Sequence, residues 1–281
     1  RNNSIRRYIS MVIHINRVYS FKNKIYQLLS IKLIGFKMKV YSQSIRIFLN
    51  ISFKKTEIFT ITEKQAHYLI NVMRVKFGST FLVFNGFEGE YKVEILNIKN
   101  HIVYCKVIEK VRDQYYEPEL NLIFSIVKKD RIFNIIEKCT ELGVTCFQPI
   151  FTERTQNFNF NLNKIVTYAI EASEQTRRLT IPKINPVLKL NTLLSNWNKK
   201  EIILLCNEND GIPIMKIRNK ISKPVSILIG PEGGFSGDEL ESFLNFDFIS
   251  SISLGPRILR SDTAAISMVA CYQSIFGDWN L

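Results

Sequence analysis

From Leu120 onward, short apolar runs alternate with stretches of helical period, and this alternation most constrains the fold. "LNLIFSIV", "CFQPIF", "EIILLC", "VSILIG" and "ISSISLG" have the length and β-branched content of buried strands. Between them lie helical stretches, notably "DRIFNIIEKCTELG" and "NKIVTYAIEASEQTRR". Strands alternating with helices predict a mostly parallel sheet covered by helices. The earlier chain reads differently. "IRIFLN", "EIFTIT", "TFLVFNG", "EYKVEILNIK" and "HIVYCKVIEKV" alternate with period two, with turns at "NGFEG" and "KN". A single helix, "TEKQAHYLINVMR", interrupts them, with Thr62 as N-cap and Ala66, Leu69, Ile70 and Met73 on one face. A small β-barrel over 41–115, followed by an α/β unit over 116–281, is the expected organisation.

In an open parallel sheet, ligands bind beyond the carboxyl ends of the strands. "VSILIG" runs at such a place into Gly230–Gly234, and glycines there let backbone approach a ligand closely. The loop lacks the Gly-Lys-Ser/Thr of a phosphate loop and the GxGxxG of a dinucleotide site, and Glu232 would repel a phosphate. Ser236 and Glu239 have the spacing of a capping box for the next helix. "ISLGPRILRSDTAAISMVACYQSIF" repeats the design: strand, Gly-Pro, irregular stretch, then a helix capped by Ser261 or Asp262. Two such loops, about 25 residues apart, are expected side by side, lining one pocket.

The formal charge of +13 suggests an anionic partner, but its distribution matters. No Asp or Glu precedes Glu57, whereas twelve Lys or Arg do. Residues 57–281 carry 26 basic against 25 acidic residues, so a basic surface has to be local. Residues 1–40 form a basic leader, read as either a transit peptide or a stretch translated upstream of a start at Met38; neither enters the fold. Charges interrupt its apolar runs well short of a membrane span, and no membrane association is expected. Five cysteines without CxxC or zinc spacing predict reduced, mostly buried thiols and no structural metal.

"LIGPEGGFSGDEL" followed by "LGPRILRSDTAA" resembles the RsmE-type 16S ribosomal RNA (uracil-N3)-methyltransferases of the SPOUT superfamily. "HYLINVMRVKFG", "KCTELGV", "TERTQ" and "EASEQTRR" extend the likeness over roughly Arg46 to Asp278. The resemblance implies an N-terminal PUA-like barrel, a C-terminal α/β domain tied in a deep trefoil knot, S-adenosylmethionine as methyl donor, and a homodimer. It implies cytoplasmic work on the bacterial small ribosomal subunit, or organellar work if the leader is a transit peptide. Cofactor contacts would come from Leu205, Cys206 and Asn207, from Gly230, Pro231, Gly233 and Gly234, and from Leu254, Gly255 and Leu259. Glu232 would sit near the cofactor's amino group or sulfonium, help position the base, or bond to amides of its own loop. Arg260 would stabilise a uracil oxygen or pair with a phosphate. Asp262, where the family generally has Glu, would act as base or cap its helix, and capping is the expectation. Arg46, Arg74, Arg154, Arg177 and Arg178 are the expected RNA contacts, with an intrahelical Glu174–Arg178 pair as the competing reading. Two other readings remain open: a catalytically silent ribosome-assembly protein that binds RNA, and a SPOUT enzyme acting on transfer RNA.

Overall fold

The computed structural model describes residues 45–53, 57–156, 160–207, 211–217 and 225–280. The leader over 1–40 lies outside the described residues.

The first sheet has five strands: β1 (Arg46–Phe48), β2 (Ile58–Ile61), β3 (Thr80–Phe84), β4 (Glu90–Lys99) and β5 (Ile102–Arg112). Their order is β1-β3-β4-β5-β2, with β1 parallel to β3 and the other pairs antiparallel. Period two does what it predicts: Val93 and Ile95 on β4 and Val103, Cys105 and Val107 on β5 turn into one core with Ile47, Ile61 and Phe81. The "KN" turn closes the β4–β5 hairpin with Asn100 and His101 both left-handed (φ 51° and 60°), the requirement of a twist-matched two-residue turn.

The single expected helix is two pieces. An α-helix, α1 (Glu63–His67), runs directly into a π-helical turn over Tyr68–Val72. Thr62 holds the N-cap position without a side-chain hydrogen bond. The wider turn, closed by Met73 N donating to Tyr68 O (3.0 Å), changes which residues share a face. Ala66 and Leu69 stay buried, while Met73 faces outward.

The second sheet is parallel throughout, in the order β11-β13-β10-β12-β6-β7-β8, with β9 also on β7. Its elements are β6 (Asn121–Ser125), α2 (Lys129–Glu141), β7 (Cys146–Phe151), α3 (Leu162–Thr176), β8 (Lys183–Ile184), β9 (Leu188–Lys189) and α4 (Leu190–Ser195). There follow β10 (Ile202–Cys206), β11 (Ile212–Pro213), β12 (Val225–Ile229), α5 (Gly237–Phe243), β13 (Ile249–Ser253) and α6 (Ser261–Ile275). Both faces are covered, so the central strands β10 and β12 are apolar at nearly every position. Leu204, Ile227 and Ile229 pack into the core shared with α2 and α6, and Ile203, Leu205 and Leu228 into the one beneath α4 and α5. One expectation is corrected here. β12 and β13 are not neighbours, because β10 lies between them, so the two glycine loops flank the end of β10.

The two sheets meet at the C-terminal end of α3. There Glu174 Oε1 accepts from Phe48 N (2.8 Å). Burial pushes the Glu174 carboxyl up to about 7, against the Phe48 amide and the charge of Arg46, with Glu171 adding to the rise. Its folded value thus lies above the unfolded value of about 4.3, so the folded state binds more protons between those pH values. The protonated carboxyl's advantage is complete below the unfolded value and is lost as pH rises toward 7. Glu174→Gln keeps the acceptor for Phe48 and removes the charge. It is expected to be more stable than wild type at pH 8 by roughly 1–2 kcal/mol and equal to it near pH 4.5. Denaturant melts at both pH values check this, and an identical difference at the two would refute it.

Candidate functional site

The end of β12 opens into Gly230–Gly234 and α5 follows through a complete capping box. Ser236 Oγ accepts from Glu239 N (3.1 Å), and Ser236 N donates to Glu239 Oε2 (2.9 Å). The other carboxylate oxygen, Oε1, accepts from Glu153 N (2.9 Å), tying the segment after β7 to the same corner. Within the loop, Gly234 N donates to Pro231 O (3.0 Å) at φ +70°, and Gly233 O accepts from Arg154 Nη1 (2.8 Å). The carboxylate of Glu232 pairs with Arg131 at the start of α2. This partner, a guanidinium from another element, was not among the expected neighbours, and the pair leaves Glu232 on the cavity wall beside any bound cofactor or base.

Across the end of β10, Asn207 N donates to Ile252 O (3.0 Å), and the second loop turns at Gly255 with φ +112°. Between the two loops lies a cavity of about 600 Å³. Cys206, Asn207, Gly230, Pro231, Glu232, Gly233, Gly234, Leu254, Gly255 and Leu259 all line it. Leu205 does not. Strand alternation turns it to the opposite side of β10, where it is buried in the core beneath α4 and α5. Burial raises the Cys206 thiol to about 12, so it lines the cavity as a neutral group. Neither Gly234 nor Gly255 has an atom within 4 Å of where a Cβ would stand, and Ser261 Oγ at the wall is buried with no hydrogen-bond partner among the described residues. Space, open backbone and an unsatisfied hydroxyl suit a ligand of nucleoside size held by main-chain groups. Among the described residues no cluster of three or more His, Cys, Asp or Glu could hold a metal.

Comparison with known proteins decides the family. The profile of the RNA methyltransferase domain matches residues 115–273, and that of the RNA methyltransferase PUA domain matches 61–108. A ribosomal RNA small subunit methyltransferase E from Rickettsia conorii is 32% identical over 227 residues, covering 80% of this chain and 93% of the relative. The chain belongs to this family. Its counterpart from Synechocystis is 33% identical over 73% of this chain and 69% of its own length. A putative methyltransferase from Legionella pneumophila, solved with bound S-adenosylmethionine, superposes with a TM-score of 0.77 at 27% identity, over 84% of this chain and 99% of the other.

At this cavity, sequence reasoning missed the second loop's own side chains. Arg257 and Ile258 line the cavity's mouth, Ile258 being 81% exposed. Their only signal was position, directly after the Gly-Pro. Arg260, by contrast, is exposed and does not line the cavity. Its backbone occupies the N-cap position of α6 in extended conformation, without a side-chain cap bond. Neither Ser261 nor Asp262 caps that helix, because both already lie within its first turn. Asp262 Oδ2 instead accepts from Asn134 Nδ2 on α2 (3.1 Å), while Oδ1 is buried without a partner among the described residues.

The five expected RNA arginines divide. Arg74 is exposed at a left-handed position (φ 52°) after the π turn, and Arg154 lies along the glycine loop. Arg177, partly exposed, is the left-handed C-cap of α3. Arg46 and Arg178 are corrections. Both are buried, Arg46 against Glu90 and Arg178 against Glu117, with their remaining donors on backbone carbonyls and, for Arg178, the Thr180 hydroxyl. A guanidinium so used has nothing left to offer a phosphate. The Glu174–Arg178 helical pair does not form either, because α3 ends at Thr176 and the turn at Arg177 carries Arg178 off its face.

Proposed function

We propose that this protein methylates N3 of one uridine in 16S ribosomal RNA of the small subunit, using S-adenosylmethionine. The observation that carries this reading is the cavity between two glycine loops at the ends of parallel strands, in a chain of the methyltransferase E family. The methyl donor supplies an electrophilic carbon on a sulfonium; the chain supplies position and exclusion of water. The main chain of Gly230–Gly234 and Leu254–Leu259 holds the donor. Glu232, paired with Arg131 on the cavity wall, sits near the donor's amino group or sulfonium or helps position the base. Arg260, at the head of α6 with an exposed side chain, meets the oxygen of the deprotonated uracil or an adjoining phosphate. The five-stranded sheet belongs to a PUA-like barrel domain over 41–115 that grips RNA through exposed arginines such as Arg74. Residues 116–281 form the SPOUT unit, tied in a deep trefoil knot. Two copies form a homodimer, and the protein works in the bacterial cytoplasm, where the subunit is assembled.

Mass mapping of small-subunit RNA from cells with and without the gene tests the reading. One methylated uridine is expected to disappear when the gene is lost and to return when purified protein and S-adenosylmethionine are added to the isolated subunit. An unchanged map refutes the reaction, and S-adenosylmethionine failing to bind in calorimetry favours the silent assembly protein.

A further inference from the structure

The joint between the two sheets is built almost wholly from charge. Glu90, at the start of β4, is 3% exposed and is held between two guanidiniums. Arg112 Nε donates to its Oε2 (2.8 Å) and Nη2 to its Oε1 (3.1 Å), and Arg46 Nε donates to Oε1 from the other side. Each arginine turns its remaining donors to the end of α3. Arg46 Nη1 donates to Ser173 O (2.6 Å) and Nη2 to Arg178 O, while Arg112 Nη2 donates to Arg177 O (2.9 Å). A helix leaves its last carbonyls without partners and carries partial negative charge there. In α3 those carbonyls are capped from a different sheet, more than sixty residues away in sequence. Two cations thus face the Glu90 carboxylate and one helix end, with the Glu174 carboxyl close to Arg46 at the same joint.

The contact continues into the cofactor cavity. Arg178, next to the capped carbonyls, donates to Thr140 O (2.7 Å) and Val144 O (2.8 Å) at the end of α2. The opposite end of α2 carries Arg131, which holds Glu232, and Asn134, which holds Asp262. One helix therefore has the joint's Arg178 at its C-terminus and, in its N-terminal half, the partners of Glu232 on the cavity wall and of Asp262 in the first turn of α6.

We propose that Glu90 and Arg112 are positioning residues for the methyl transfer: they hold the RNA-gripping sheet at one fixed angle to the cofactor cavity. The proposal rests on the function given above. Interfaces between units of one chain leave them mobile by default unless large and apolar. This one is ionic, and its geometry is set by planar forks that each satisfy two elements at once. Rotation of the sheet by a few degrees breaks the fork on one side. RNA held by the sheet then presents its uridine off line, which costs turnover without costing either binding event.

Arg112→Gln tests this. Its side chain is 24% exposed and Arg46 remains on Glu90, so the carboxylate is not left unpaired. In the full-length protein, S-adenosylmethionine affinity by calorimetry and KM for small subunits are expected to stay within about threefold of wild type, while kcat falls at least tenfold. Arg112→Lys, which keeps the charge but cannot bridge Glu90 and the Arg177 carbonyl together, should fall between the two. Wild-type kcat in Arg112→Gln, with faster amide hydrogen exchange at the end of α3, overturns the proposal: the joint has loosened and the reaction has not noticed. A raised, salt-dependent KM with unchanged kcat also overturns it, because Arg112 would then be a phosphate contact. If Arg112→Gln does not fold, the same split is read from Arg112→Lys. Failure of the wild-type protein to methylate the subunit would instead refute the function and leave the joint's geometry untouched.

Discussion

Gly255→Val is expected to lower S-adenosylmethionine affinity at least ~100-fold, to beyond ready detection by calorimetry, while the protein remains folded. A β-branched residue is disfavoured at φ +112°, and such a conformation costs about 1–3 kcal/mol. The cost here is conformational and not steric, because nothing lies within 4 Å of the new Cβ. Valine relieves it by rotating the backbone back to negative φ, which swings the amides and carbonyls of Leu254–Leu259 away from the cavity they line. Recognition by main-chain groups has no side chain to compensate. The loop is exposed at Gly255, and the core of α6 begins only at Ala265, so the melting temperature should fall by only a few degrees. Gly233 provides the contrast. It lacks positive φ, and a Cβ there would meet Arg154 at an ordinary 3.8 Å, so Gly233→Ala should fold as wild type and disturb only what lies on the loop. Wild-type affinity in Gly255→Val would mean that the second loop is a plain strand-to-helix connection.

The parts of this fold that were legible are those written in local sequence. "VSILI" and "IILLC" are apolar at nearly every position because both faces of the parallel sheet are covered, and Ser236 and Glu239 cap α5 at the spacing that predicts it. Strand order was not legible. Nothing in Val225–Ser253 says that β10, from earlier in the chain, lies between β12 and β13. Arg46 and Arg178 show the same limit in side chains. A guanidinium suits phosphate and helix-end carbonyls equally, and only the partners, Ser173 for Arg46 and Val144 for Arg178, decide between them. Those partners lie 127 and 34 residues away. The π turn after His67 was hidden for a subtler reason: one widened turn changes which residues face inward without changing composition. In the site, backbone-lined positions were found from glycine and proline, whereas Arg257 and Ile258 had no such mark.

The second large effect concerns Arg260 and Asp262. Arg260→Lys is expected to reduce turnover about 100-fold with S-adenosylmethionine affinity unchanged. The fold gives little reason for any other loss: the side chain is exposed, and it is the backbone carbonyl that engages α6, accepting from Ala264 N (2.7 Å). Lysine keeps the positive charge and loses the planar fork that can meet a uracil oxygen and a phosphate together. Were Asp262 a helix cap, Asp262→Asn would be mild, because Asn caps nearly as well as Asp. The structure removes that ground, since Arg260 holds the N-cap position and Asp262 spends one oxygen on Asn134. Its other oxygen is buried with no partner among the described residues, which leaves a carboxylate acceptor in the first turn of the helix that Arg260 heads. An amide there can still bond to Asn134 through its oxygen but cannot accept a proton. Turnover is therefore expected to fall about tenfold or more, with the melting temperature within a few degrees of wild type. Full activity in Asp262→Asn would exclude the carboxylate from proton transfer, and full activity in Arg260→Lys would show that a point charge is all the reaction asks of that position.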